Sequence, residues 1–138
     1  MEEILDVGCG CQTRGTLNLD FNHNSPADMI YDLNRIPYPF SDKQFKKVLA
    51  YHVLEHLDNP ERVLNELRRI AEVVEIKVPH CKSMTAKSDA THKHTFNTKW
   101  FSVYAKKYQV NFETKVRFDI ERFSWRLPFV WEIAVWLW

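Results

Sequence analysis

At 138 residues the chain has the length of one domain, enough to bury a core and too little for two. A composition of 45% apolar and 27% charged residues is that of a globular protein rather than a disordered tract. The formal net charge of +1 leaves no global field that would draw the chain to nucleic acid or acidic lipid. Cys9, Cys11 and Cys81 are an odd number without a disulfide framework, and no secretory leader precedes them, so the expected setting is reducing and cytoplasmic.

In chain order, Ile4-Leu5-Asp6-Val7 is a short apolar run that stops at Gly8-Cys9-Gly10, the pattern of a buried strand entering a tight turn. Thr16-Leu17-Asn18-Leu19-Asp20 alternates and ends on a carboxylate, which predicts a second strand, and Met29-Ile30-Tyr31-Asp32 a brief third. Pro37-Tyr38-Pro39-Phe40 is a rigid connector, because proline fixes φ and extends the residue before it. Residues 45–51 contain Val48-Leu49-Ala50-Tyr51, a central strand. The clearest helix opens at Asn59-Pro60: Asp58 or Asn59 caps it, proline suits its first turn, and Glu61 favours its positive end. Val63, Leu64, Leu67 and Ile70 recur at helical spacing and put Glu66, Arg68 and Arg69 on other faces. Val73-Val74-Glu75-Ile76-Lys77-Val78 is a strand closed by Pro79. Beyond it come a polar, basic loop (80–97), a short amphipathic helix (99–107) and one or two alternating strands (108–118). Strands alternating with helices predict an α/β domain with a mainly parallel sheet, a single domain over 1–138 with 119–138 as an aromatic tail.

Ligands of an open parallel sheet lie beyond the carboxyl ends of its strands, at the topological switch point. Asp6-Val7-Gly8-Cys9-Gly10 sits at such an end, where glycines let a backbone approach a ligand and exposed N–H groups can meet a carboxylate. Asp20 closes the next strand, where a nucleotide-binding fold needs an acceptor for ribose hydroxyls. Asp32 and Leu33 follow at the third strand end, an acceptor for an amino group beside an apolar side chain for a ring. Any one of these features also fits a plain turn or cap; three successive strand ends carrying carboxylates are harder to explain that way.

The ordered set Leu5-Asp6-Val7-Gly8-Cys9-Gly10, Asn18-Leu19-Asp20, Asp32-Leu33, Pro37-Tyr38-Pro39-Phe40, His52-Val53-Leu54-Glu55-His56-Leu57 and Glu66-Leu67-Arg68-Arg69 resembles the class I S-adenosylmethionine-dependent methyltransferases, over roughly residues 3–80. The resemblance implies a Rossmann-like three-layer α/β sandwich with a mainly parallel sheet and an antiparallel C-terminal strand. It implies S-adenosylmethionine as cofactor and methyl transfer to an O or N nucleophile. Gly8 and Gly10 would face the methionine portion, with Asp6 and Cys9 of the same turn in the binding set. Asp20 would take the ribose, Asp32 and Leu33 the adenine, and Tyr51 and His52 would line the methyl-donor pocket. The chain departs from the family in three places. Few residues separate Gly10 from the second strand, so the first helix is shortened or missing. Lys46 and Lys47 replace a Phe-Asp pair, and no Lys-Pro-Gly-Gly turn precedes the fifth strand. A protein that keeps the fold for binding or scaffolding without turnover is the alternative.

His52-Val53-Leu54-Glu55-His56 also matches H-x-x-E-H, a zinc-hydrolase motif with two histidine ligands and a glutamate base. That chemistry needs a regular helix, whereas an apolar strand runs into His52 and the helix starts only at Pro60, so no metal is assigned. His80 and His92, after the fifth strand, are candidate proton acceptors on the acceptor side; a zinc set of His80, Cys81, His92 and His94 is a lesser alternative. The lysines of this loop suit an anionic acceptor, and a small or glycan-like molecule is expected, with nucleic acid still open. No run approaches the roughly 18–20 apolar residues of a membrane span. Trp125, Trp131, Trp136 and Trp138 in the tail must bury on the domain, in a homodimer or at a membrane surface.

Overall fold

The computed structural model describes residues 3–109, 114–121 and 130–136, with 114–115, 119–121 and 130–136 described by their backbone alone. Alternation builds the sheet from its first strand. In β1 (Ile4–Val7) Leu5 and Val7 are fully buried on one face, and Asp6 points to the other. β2 (Leu17–Asp20), β3 (Met29–Ile30), β4 (Phe45–Tyr51), β5 (Ala71–Pro79) and β6 (Thr114–Glu121) join it in the order β3-β2-β1-β4-β5-β6, all parallel. β7 (Val130–Trp136) pairs with β6 antiparallel. The chain thus walks outward from β1 to β3, returns across β1 to β4, and continues the other way. Neighbouring β1 and β4 therefore flank the topological switch point.

The first helix, α1 (Pro60–Ile70), follows the sequence signals closely. Asn59 caps it, its Oδ1 accepting the Arg62 N–H at 3.0 Å, and Val63, Leu64, Leu67 and Ile70 are buried. α3 (Thr98–Lys107) lies beside it: Phe101 and Tyr104 are buried, and the Tyr104 hydroxyl donates to Asn65 Oδ1 at 2.8 Å. Both helices therefore cover the face of Leu5, Val48, Ile76 and Phe118. Within residues 80–97, predicted as loop throughout, the chain forms one short helix, α2 (Met84–Ser88), capped by Ser83.

No helix forms among residues 8–16 between β1 and β2, as the short spacing predicts. α1 and α3 lie on one face of the sheet, while on the other the loop carrying Arg14 meets Asp6. On the helical face the segment after β3 does a helix's work, placing Leu33 and Tyr38 in the main core. No described helix is long and apolar enough to cross a membrane.

One helical position departs from the sequence reading. Glu66, expected on an outer face, is only 8% exposed. Its Oε1 accepts the Tyr38 backbone N–H at 2.7 Å and Arg69 Nη2 at 2.6 Å. Arg69 also holds the Phe40 carbonyl at 2.8 Å and Asp42 at 2.7 Å, so the pair clamps the connector onto α1. The Arg69 hydrogen bonds hold the Glu66 carboxyl below its ordinary value of 4.5, against its partial burial. A carboxyl depressed by folding contributes stability above its unfolded pKa and loses it as pH falls through the folded one. Glu66→Gln is therefore expected to cost about 1–3 kcal/mol at neutral pH and less at an acid pH low enough to protonate the folded carboxyl. Urea unfolding of both proteins at the two pH values checks this; equal losses at both would refute it.

Residues 122–129 and 137–138, and the side chains of β7, lie outside the described residues, so the placement of the tail tryptophans falls there.

Candidate functional site

At the carboxyl end of β1 the backbone turns through Gly8 at φ +66° and Gly10 at φ +58°, both in the left-handed region that favours glycine. The two positions differ in surroundings. A Cβ on Gly8 would stand 2.6 Å from Val53 Cγ2, because the turn after β4 packs directly on the turn after β1. A Cβ on Gly10 would meet nothing within 4 Å, so open space lies over that residue.

Asp20, at the end of β2, is 6% exposed and ties the glycine turn to its own strand. Its Oδ2 accepts the Gly10 N–H at 2.7 Å and its Oδ1 accepts the Asn22 N–H at 2.9 Å. Each carboxylate oxygen keeps a further lone pair for a hydroxyl donor. Cys9 is buried beneath the turn, its N–H donating to the Leu19 carbonyl at 3.0 Å. Burial pushes its thiol pKa up, and the nearby Asp20 adds to this, so Cys9 is a packing residue rather than a nucleophile. Of the amides expected to meet a ligand carboxylate, those of Cys9 and Gly10 are thus engaged within the protein.

Asp32 is exposed just past β3, with Oδ1 accepting the Asn34 N–H at 2.9 Å. Leu33, expected against a ring, is 5% exposed and belongs to the core, where its carbonyl accepts the Tyr38 hydroxyl at 3.0 Å. His52, with φ +54°, is exposed at the end of β4 and its N–H donates to the Lys77 carbonyl at 2.8 Å.

Asp6 and Tyr51 point away from the helices, onto the second face of the sheet. Asp6 is fully buried, its Oδ2 accepting the Arg14 N–H at 3.1 Å and facing Arg14 Nη1 at 3.4 Å. Burial raises its pKa above the ordinary 3.8, and Arg14 opposes the rise. The Arg14 guanidinium lies 5.4 Å from the centre of the Tyr51 ring. The Tyr51 hydroxyl donates to Glu75, and burial first, then this bond, raises its pKa. Lys47 Nζ at 3.8 Å and Arg117 Nη2 at 3.9 Å complete the surroundings of Glu75. Sequence reasoning missed Arg14, which only the folded loop brings to Asp6. Glu75 was findable, since it alternates out of phase with Val74 and Ile76.

The candidate bases stand in different surroundings. The His80 ring meets Phe118 edge-on at 5.4 Å, and burial, then Lys82, lowers its pKa below 6.5, so it is neutral near pH 7. The His92 side chain is 7% exposed, with Nε2 3.6 Å from Asp89 Oδ2. The two zinc readings fail as drawn. Leu54–His56 is a single 3-10 turn, so His52 and His56 do not share a regular helix. His94 Nε2 faces the Asp58 carbonyl at 3.3 Å, while His80 and Cys81 pack near β6.

A parallel sheet with a glycine turn and acidic strand ends at the switch point defines a Rossmann-like α/β domain. Comparison with known proteins narrows this class. The methyltransferase-domain family matches residues 23–73. An S-adenosylmethionine-dependent methyltransferase from Archaeoglobus fulgidus superposes with a TM-score of 0.59 over 77% of this chain, at 20% identity. This chain spans only 59% of that structure's length. One from Thermotoga maritima, a possible histamine N-methyltransferase, superposes with a TM-score of 0.66 over 100% of this chain and 77% of its own, at 15% identity. None of the curated proteins matches in sequence. By fold the chain is similar to S-adenosylmethionine-dependent methyltransferases, and the methyltransferase-domain match over residues 23–73 agrees with that likeness.

Proposed function

We propose that the chain binds S-adenosylmethionine over Gly8 and Gly10 and transfers its methyl group to an O or N nucleophile of a small or glycan-like acceptor. The observation that carries this is the link between Gly10 and Asp20 at 2.7 Å, which holds a carboxylate beside an open glycine turn at the switch point. The residues fit the group: Asp20 retains lone pairs for ribose hydroxyls, exposed Asp32 has an oxygen for an amino group, and the space above Gly10 admits a ligand backbone. S-adenosylmethionine held by these residues would supply an electrophilic methyl to an acceptor lone pair, with the electrons of the C–S bond returning to sulfur. His80, neutral near pH 7, takes the proton that the acceptor releases. Most of the rate comes from alignment of nucleophile and methyl rather than from acid–base chemistry.

Calorimetry with S-adenosylhomocysteine is expected to show one site per folded chain, and a labelled-methyl assay on candidate acceptors is expected to show turnover. The absence of heat with folded protein rejects the reading. A second reading, a binding protein without turnover, draws on the absent first helix and the engaged Cys9 and Gly10 amides; it predicts heat of binding with no label transferred to any acceptor class. A cytoplasmic homodimer joined through the aromatic C-terminal stretch completes the proposal. Sedimentation as a dimer that stays in solution with lipid vesicles is the expected result, and flotation with the vesicles the contrary one.

A further inference from the structure

Among the described residues Glu55 is a buried carboxylate that the fold leaves without a hydrogen bond. It is 1% exposed, and neither of its carboxylate oxygens accepts a hydrogen bond. His52 Nδ1 stands 3.4 Å from Oε1 without hydrogen-bond geometry. A buried carboxylate is ordinarily paired, hydrogen-bonded or bound to a metal. Beside it, His92 Nδ1 is also buried without a partner. His56 completes a group in which one ligand atom from each of Glu55, His56 and His92 lies within 4.8 Å of the others.

The remaining ring nitrogens are turned away and braced. His56 Nδ1 meets Thr91, at 3.0 Å from Oγ1 and 3.3 Å from the carbonyl oxygen, which leaves Nε2 as the free ligand atom. His92 Nε2 faces Asp89 Oδ2 at 3.6 Å, which leaves Nδ1. Asp89 in turn accepts the Thr91 hydroxyl at 2.6 Å and N–H at 2.8 Å, so one turn orients both imidazoles. A carboxylate or carbonyl on the distal nitrogen is the usual outer support of a metal-bound histidine. The Lys93 and His94 amides anchor this turn to the Glu55 carbonyl at 2.7 Å and 3.2 Å.

We infer that Glu55, His56 and His92 form a site for one divalent transition ion of the zinc class, beside the donor crevice. Two imidazoles and one carboxylate are a zinc ligand set, and they disfavour magnesium and calcium, which prefer all-oxygen shells. Ligand atoms around zinc sit roughly 3.3 Å apart at normal bond lengths, so binding an ion would draw the three groups closer than they stand. Three protein ligands leave a coordination position open, the mark of a reactive site rather than a structural one. Val53, two residues before Glu55, packs over Gly8, so the site belongs to the turn that adjoins the glycine turn. Resting on the proposed methyl transfer, its role is to hold an acceptor oxygen and ease loss of that oxygen's proton. The site unites residues from the two zinc readings that fail separately.

The test titrates chelator-stripped protein with Zn2+ by calorimetry and with Co2+ by visible absorption, and follows thermal unfolding. One Zn2+ per chain, tetrahedral-type Co2+ bands and a raised Tm are expected, with no response to Mg2+. His92→Ala should abolish the response, and Asp89→Asn should weaken it about 10- to 100-fold. Glu55→Gln keeps the volume and removes the unpaired charge, so it should fold at least as stably as the metal-free wild type while losing the Zn2+ response. Folded wild type that binds no Zn2+, or binding unchanged in both His92→Ala and Glu55→Gln, overturns the site. Calorimetry with S-adenosylhomocysteine on the same samples separates the two ideas. Zn2+ binding without nucleoside binding supports the ion site and overturns the donor reading; the reverse overturns the ion site alone.

Discussion

Gly8→Ala is expected to unfold a large fraction of the protein at temperatures where the wild type is intact, and Gly10→Ala is not. Both glycines have positive φ, so an alanine at either pays about 1–2 kcal/mol in backbone strain. Only at Gly8 does the new methyl collide, 2.6 Å from Val53 Cγ2 and 2.9 Å from Val53 Cβ. Val53 is 8% exposed and is held by the 3-10 turn that follows it, so it has little room to yield. Overpacking of this kind adds about 1–3 kcal/mol. The sum, roughly 2–5 kcal/mol, is a substantial share of the stability of a domain this size and lowers Tm by on the order of 10 °C. Gly10→Ala should lose only about 1–2 kcal/mol, yet it should impair S-adenosylhomocysteine binding, because its methyl fills the open space above the turn. Scanning calorimetry of the two variants decides the matter. Equal melting losses would mean that the β1–β4 contact is not what requires glycine at position 8.

The same contrast shows where sequence patterns stop. β1, β4 and the start of α1 were legible residue by residue, because apolar runs, alternation and an Asn-Pro start are local signals. Asp20 was legible as a strand-ending carboxylate, and the structure brings it to Gly10. Helical spacing put Glu66 on an outer face, but an α-helix surface is outer only where nothing else packs. The connector around Tyr38 covers that side, and a buried carboxylate there replaces the backbone partner a helix would have given. Leu33 was read as a ligand contact from its neighbour Asp32, but its side chain joins the main core, a placement set by packing partners distant in sequence. Arg14 and the Glu55–His56–His92 group were invisible for a similar reason. Their geometry depends on loops folding back over long stretches of chain, and a one-dimensional motif such as H-x-x-E-H assigns the histidines to the wrong local structure.

Asp20→Ala is expected to weaken S-adenosylhomocysteine binding at least about 100-fold, with a loss of roughly 1–3 kcal/mol in stability. Two losses combine. The carboxylate accepts the Gly10 and Asn22 amides, so its removal loosens the turn that shapes the crevice. In the proposed complex its remaining lone pairs accept the ribose hydroxyls, and hydrogen bonds to a charged acceptor are worth about 1.5–3 kcal/mol each, or roughly tenfold in affinity for every 1.4 kcal/mol. Asp20→Asn separates the two effects. Its single carbonyl oxygen can keep one of the two amides while its NH2 group opposes the other, and the negative charge is gone. Melting between those of Asp20→Ala and the wild type, together with affinity lowered at least about tenfold, is the expected pattern if the ligand reads the carboxylate directly. If Asp20→Asn binds as tightly as the wild type, Asp20 acts only as a strut for the glycine turn, and the ribose must be held by another group.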